Sequence, residues 1–394
     1  MSVPCSTRSR LALLSVVLVT FLAASSAPTP LYHLYQEAWH FSPGMLTLVF
    51  GVYAFSLLAA LLTLGSLSDY LGRKPVVRGA IALNMLAMAL FIYADSVGWL
   101  LAARLVQGFA TGIATSAVGA ALIDTDRQQG SLLNSLSPLL GLALGALGAS
   151  ALAQFTPYPL QLSYGLLAGL MACQVLLLAA LPESISRQPG ALASLRPTLS
   201  LPAQARATLW RVMPVNVAVW MSGGFFLSLA PSLVRAATGS SSNLIGGALV
   251  ATLNLSGAAA IYALRNSAAQ RTLRLGTLML GAGVGLLLIA TWGAILPLFF
   301  IATLVTGLGF GSAFLGGVRS VMPLAHAHER AGLMATFYVF SYLAFCLPAM
   351  GAGFLVHDFG LVPTTYAYGG VQIALCLAAL AGMWRRTLDP ATVR

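Results

Sequence analysis

Long apolar runs separated by short polar turns fill nearly all of this 394-residue chain. A helix needs about 20 apolar residues to cross roughly 30 Å of hydrocarbon. Twelve runs reach that scale, near 11–35, 45–67, 76–94, 97–122, 131–154, 160–181, 212–235, 243–264, 273–291, 295–318, 331–356 and 364–384. One stretch interrupts the rhythm. Residues 183–210 carry Arg187, Arg196 and Arg206 with Pro189, Pro197 and Pro202, the composition of a linker, and divide the runs six and six. The pattern predicts an all-α polytopic membrane protein with 12 transmembrane helices. An N-terminal six-helix bundle is expected over 1–182, a cytoplasmic linker over 183–210 and a C-terminal six-helix bundle over 211–394.

Charge orients that pattern. With the N-terminus inside, all of the 20 Lys and Arg fall on the cytoplasmic side except Arg235 outside and Arg104 and Arg319 within spans. The cytoplasmic set runs from Arg8 and Arg10 to Arg385, Arg386 and Arg394, which predicts two cytoplasmic termini by the positive-inside rule. A pI near 10.0 therefore reflects topology, and no nucleic-acid partner is expected. Only 7% of residues are charged and 58% are hydrophobic, against about 25% charged in soluble domains. The first residues imitate a secretory signal, but Pro28 follows the favoured cut and Thr29-Pro30-Leu31-Tyr32 continues it, so a retained first span is expected. Cys5, Cys173, Cys346 and Cys376 show no paired spacing and read as small hydrophobes, without disulfide or metal site.

An internal repeat is visible. Ala103-Arg104-Leu105-Val106-Gln107-Gly108 matches Ala302-Thr303-Leu304-Val305-Thr306-Gly307 at an offset of 199. Ala27-Pro28 recurs as Ala230-Pro231, and Asp126-Arg127 as Glu329-Arg330, both at 203. Together these imply two related, pseudo-symmetric halves.

The most specific motif is Gly65-Ser66-Leu67-Ser68-Asp69-Tyr70-Leu71-Gly72-Arg73-Lys74, between the second and third runs. It resembles the cytoplasmic loop signature of the major facilitator superfamily, departing at Tyr70, where a basic residue is common. Arg104-Leu105-Val106-Gln107-Gly108, with Gly112 one turn on, resembles that family's fourth-helix signature. The resemblance implies the superfamily's fold, with solute held near the midplane between two halves. It also implies a latch in which Asp69 meets the start of the eleventh helix and Arg73 pairs with Asp124. Gly65, Gly72 and Lys74 would belong to the same gating loop. The other reading of the loop is a solvated turn that only sets topology. The second half, at Ser267–Thr272, lacks the acid and the glycine.

Other candidates come from polar residues in apolar context. An arginine at mid-helix costs about 2.5–3.5 kcal/mol on insertion scales. Arg104 therefore faces a partner or wet cavity, or snorkels to the outer surface about two turns away. In the family this arginine is associated with proton coupling or anionic substrates. Pro28 and Pro30 free backbone carbonyls in the first span, followed by Tyr32, His33, Tyr35 and Glu37. His33 and Glu37, four apart, suit proton exchange, or the group forms an outer aromatic rim with Trp39. Unlike many proton-driven drug exporters, the first run has no deep carboxylate. Gly141, Gly145 and Gly148 resemble the antiporter glycine helix, with Ala146 where that signature has proline, or serve close packing. Asn134, Asn216 and Asn254, with Tyr338, Tyr342 and Phe345 on one face of the eleventh run, line a solute cavity or pack helices. Arg319, His326, His328 and Arg330 read as topology and gating.

The resemblance, closest to the drug/proton antiporter-like branch, implies a secondary active transporter of a small organic solute, most of all a proton-coupled exporter. A metabolite importer of the same fold is the alternative, and a membrane-embedded sensor or enzyme is a more distant one. No phosphate-binding loop, metal-binding His-Glu-x-x-His or Gly-x-Ser-x-Gly motif is present, so no enzyme, cofactor or metal is expected. The expected partners are a solute, protons and the lipid bilayer, with the protein acting as a monomer in a bacterial inner membrane.

Overall fold

The computed structural model describes residues 6–384, and no strand occurs among them. Cys5, Arg385, Arg386 and Arg394 lie outside the described residues. Hydrocarbon offers no partner to an unpaired N–H or C=O, so each spanning segment closes its hydrogen bonds internally as a helix. In chain order the helices are α1 Thr7–Ser26, α2 Tyr32–Trp39, α3 Pro43–Leu64, α4 Leu67–Leu71, α5 Arg73–Ile92, α6 Val97–Thr125, α7 Arg127–Phe155 and α8 Pro159–Ala180. They continue with α9 Ala203–Ser228, α10 Ala230–Thr238, α11 Asn243–Leu264, α12 Ala269–Gly293, α13 Leu296–Val321, α14 Arg330–Phe359 and α15 Leu361–Trp384. Short 3-10 turns lie at Thr29–Leu31, Ala193–Leu195 and Met322–Leu324.

Among the described residues, 11 segments are long and apolar enough to cross a membrane. A twelfth is present if α9 and α10, bent by 61°, form one span. The first span runs from Thr7 to Trp39 and contains the 3-10 turn at its two prolines. The linker is shorter than expected. Residues 203–210 already belong to α9, where Ala205 and Leu209 are buried while Arg206 faces solvent. This amphipathic first stretch carries polar residues that conceal it from a hydropathy reading.

The chain gathers into two compact units. One holds residues up to Pro197 together with Ser242–Ala251, and the other holds Thr198–Ser241 and residues from Thr252 onward. In the first unit α1 packs on α7, α3 on α6, and α5 on both α6 and α8. In the second, α12 packs on α13 and α15, and α14 on α9.

The repeat seen in the sequence is a repeat of contacts. Gly108 lies so close to α3 that a Cβ there would strike the carbonyl of Tyr53 and the hydroxyl of Ser56. In the second unit, Gly307 lies against Leu253 and Ser256 in the same way. Buried amides repeat too. Gln174 Nε2 donates to Thr20 Oγ1 at 2.7 Å, and Gln372 Nε2 to Ser222 Oγ at 2.8 Å.

Gly108→Leu and Gly307→Leu must therefore force helices apart, at a cost of about 1–3 kcal/mol each. Gly148, exposed with open space around its missing Cβ, should accept alanine. Size-exclusion profiles in detergent after graded heating check this: the two leucine variants lose the monodisperse peak at lower temperature than Gly148→Ala.

Candidate functional site

Arg104 stands in α6 with 1% of its surface exposed, so it does not snorkel. Its guanidinium is held by neutral groups. Nε donates to the Tyr32 hydroxyl at 2.9 Å, and Nη2 donates to the same oxygen. Nη1 donates to the Ser25 carbonyl at 2.8 Å and to Gln107 Oε1 at 2.6 Å. The charged carbon lies 5.1 Å from the centre of the Tyr53 ring and 5.5 Å from that of Tyr32, within cation–π range. The chain break explains part of this arrangement. Pro28 has no N–H for the carbonyl of Ala24 four residues earlier, and Gln107 Nε2 supplies that donor at 2.9 Å. Tyr32 is thus buried beside Arg104 and is no part of an outer rim, whereas His33 is half-buried and Glu37 exposed. Among the described residues, no carboxylate pairs with Arg104.

At the other end of α6, Arg73 is also buried, with 10% of its side chain exposed. It meets Asp69 and donates from Nε to Asp124 Oδ2 at 3.0 Å and from Nη1 to Ser68 Oγ at 2.7 Å. Asp69, Arg73 and Asp124 are therefore brought together. Lys74 points elsewhere, to the end of α8, where Nζ donates to the carbonyls of Ala179 and Leu181 at 2.7 and 2.5 Å. Glu183, just beyond α8, returns the contact by accepting the backbone N–H groups of Arg73 and Lys74 at 2.9 and 3.1 Å. Each helix thus caps the other's end. Gly72 permits this in two ways. Its φ is +96°, and a Cβ would sit 2.8 Å from Glu183 Oε2. Gly65 ends α3.

The remaining candidates are dispersed. Asn134 abuts Gly119 of α6, Asn254 is buried in α11, and Asn216 Nδ2 donates to Ser341 Oγ at 2.9 Å. Tyr338 and Tyr342 gather around Trp220. Gly141 and Gly145 lie against the backbone of α1, which is close packing. Arg319 donates to the carbonyls that end α11, at Leu264, Arg265 and Ser267.

The sequence profile of the Major Facilitator Superfamily matches residues 13–274. The chain belongs to this superfamily. An uncharacterized transporter of Rickettsia bellii (strain RML369-C) is 37% identical over 103 residues, a stretch spanning 25% of this chain and 25% of that relative. The human organic anion transporter MFSD10 (TETRAN) matches with a TM-score of 0.68 and 20% identity, over 95% of this chain and 99% of that one. The nucleoside transporter NupG matches with a TM-score of 0.74 and 12% identity, over 96% and 100%. At these identities the two likenesses are of fold.

At Tyr70, where the chain departs from the superfamily loop pattern, the loop meets the linker. The Tyr70 carbonyl accepts the N–H of Gln188 at 2.9 Å, and the Tyr70 ring lies where a Cβ on Gly190 would touch it at 3.4 Å. Ser66 Oγ also donates to the Ser194 carbonyl at 3.1 Å. The start of the linker is therefore laid along the signature loop. Sequence reasoning missed Glu183, though an acid just past a span is a usable signal. It also missed Asn84, fully buried in α5 with both amide atoms unpartnered, and a lone amide inside an apolar run was the signal there. Arg274 was read only as a topology residue. Two hundred positions after Lys74, it donates to the Met383 carbonyl at 3.2 Å and so caps the last helix of its own half.

Asp124 is 32% exposed at its side chain and Asp69 51%, so the two pairings of Arg73 are unequal. Asp124→Asn should lower stability by about 1–3 kcal/mol, discounted from a fully buried pair for its partial exposure. Asp69→Asn should cost less than about 1 kcal/mol. Thermal unfolding in detergent ranks them, and an Asp69→Asn loss equal to that of Asp124→Asn would contradict the assignment.

Proposed function

We propose that this protein is a secondary active transporter that moves a small organic anion by alternating access and exports it in exchange for protons. The observation that carries the reading is Arg104, a buried cation whose partners are a tyrosine hydroxyl, an amide oxygen and a backbone carbonyl. Charges held away from water are ordinarily paired, and an anionic group on the solute would supply what these neutral partners do not. Four hydrogen bonds fix the guanidinium and take four of its five N–H groups, so an anionic group would meet the one N–H left on Nη2. The organic anion transporter of like fold is consistent with this chemistry. Asp69, Arg73 and Asp124 act as the cytoplasmic latch, strained or released as the halves rock. His33 and Glu37 on α2 are the candidate proton carriers of the first span. The charge bias supports a bacterial inner membrane with both termini inside, and the protein acts as a monomer.

Import of an anion is a second reading, favoured by one observation. Among the described residues no carboxylate touches Arg104, so the proton carrier of an exchanger is missing from its immediate surroundings.

The test is accumulation of labelled organic anions, organic cations and neutral solutes in an efflux-deficient bacterial host. Wild type should lower the level of at least one anion, and a protonophore should abolish the effect. Arg104→Gln should slow the movement about tenfold or more, and Arg104→Lys should not restore it, since an ammonium cannot reproduce the planar fork. Raised accumulation would select import, and an effect confined to cations or neutral solutes would sink the anion reading.

A further inference from the structure

In the second unit, Trp220 of α9 is surrounded by four aromatic rings. Its centroid lies 4.9 Å from Tyr342, 5.9 Å from Phe345, 6.1 Å from Phe314 and 6.4 Å from Tyr338, each in a tilted or edge-on arrangement. All but Phe345 are only half-buried. One helical turn before Trp220 on α9 stands Asn216. The indole N–H of Trp220 has no acceptor and Asn216 Oδ1 has no donor, although both atoms are buried. Buried polar atoms are rarely left this way, and an absent partner is a common reason.

Two observations separate this cluster from ordinary packing. The first is its place on α14. At about 100° per residue, Tyr338, Tyr342 and Phe345 share one face. Leu347 and Phe354, with exposures of 52% and 58%, fall on the opposite face. The rings are thus turned away from the most exposed side of their helix. The second is the internal repeat. The offsets that relate Thr20 to Ser222, Gly108 to Gly307 and Asp126 to Glu329 place Leu18, Thr115, Ser135, Leu139 and Leu142 at the equivalent positions of the first unit. The same fold packs there without a single aromatic ring, so the architecture does not demand the cluster.

We infer that the Trp220 cluster is a recognition site for a planar aromatic group on the transported solute, with the indole N–H donating to an acceptor on or beside that ring. This rests on the transport reading above and narrows its substrate class. Offset and edge-on ring contacts favour an aromatic guest over a saturated one of equal size, and the unpartnered N–H favours a guest carrying an acceptor over one without.

The test uses two matched pairs of probes: 1-naphthoate with its decahydro counterpart, and 1-naphthol with its decahydro counterpart. Binding to the purified full-length protein in detergent is measured by equilibrium dialysis for wild type, Trp220→Phe, Trp220→Leu and Tyr342→Leu. Wild type should prefer the aromatic member of each pair by about tenfold. Trp220→Phe should keep most of that preference, whereas Trp220→Leu and Tyr342→Leu should bring it towards one. The inference is overturned if wild type shows no aromatic preference, if Trp220→Leu retains it in full, or if neither aromatic probe binds at millimolar concentration. The transport reading fails separately. Aromatic binding that depends on Trp220, with no movement of the bound probe into proteoliposomes, would leave the site standing and remove the transporter.

Discussion

Satisfying every polar group without water is the constraint from which the rest of this structure follows. Helices meet it along their length, but their ends and interruptions do not, and those are the places where charged side chains are used. Lys74 and Arg274 close the last helix of their respective halves, Glu183 closes the start of α5, and Arg319 closes the end of α11. A cation at a helix C-terminus and an anion at an N-terminus each contribute about 0.3–1 kcal/mol, and up to about 2 when partly buried. Arg104 and Gln107 do the same at the proline break of the first span, where they donate to carbonyls of α1.

The two halves share a frame and differ in what they place on it. Gly108 and Gly307 set the same close approach of helices, and Gln174 and Gln372 make the same cross-helix hydrogen bond. On that common frame Arg104, Gln107 and Tyr53 in the first unit correspond to Thr303, Thr306 and Leu253 in the second. The aromatic residues around Trp220 correspond to aliphatic or small residues in the first. One copy of the fold carries a buried cation between tyrosine rings, and the other carries the ring cluster around Trp220. Symmetric packing with asymmetric chemistry is the pattern expected when the backbone is fixed by stability and the exceptions serve something else.

The helices were legible because hydrophobic runs of membrane length have few alternative readings, and the repeat was legible because short matches recur at the nearby offsets of 199 and 203. The pairing of Arg73 with Asp124 was expected only through the family resemblance, which sent Asp69 to the eleventh helix; its contact with Arg73 was not foreseen. Nor was the destination of Lys74, because its acceptors are backbone carbonyls, which no letter of the sequence distinguishes. The surroundings of Arg104 were half legible. Tyr32 stood in plain view near the proline break, but Ser25 accepts through its carbonyl and Gln107 turns back onto α1. The end of the linker was misplaced because the polar residues near Ala203–Trp210 hid an amphipathic helical start. Trp220 drew no notice, since a tryptophan in an apolar run is unremarkable until its neighbours on α13 and α14 are known.

The reciprocal capping of α5 and α8 has a consequence for synthesis. Residue 74 leaves the ribosome more than a hundred positions before residue 183. Until α8 and the residues just beyond it arrive, Lys74 lacks the carbonyls of Ala179 and Leu181, and the first turn of α5 lacks the carboxylate of Glu183. The half-built bundle therefore carries an open joint at the start of α5 until α8 and Glu183 are made. Completion of the sixth span supplies the last of the contacts described for the third.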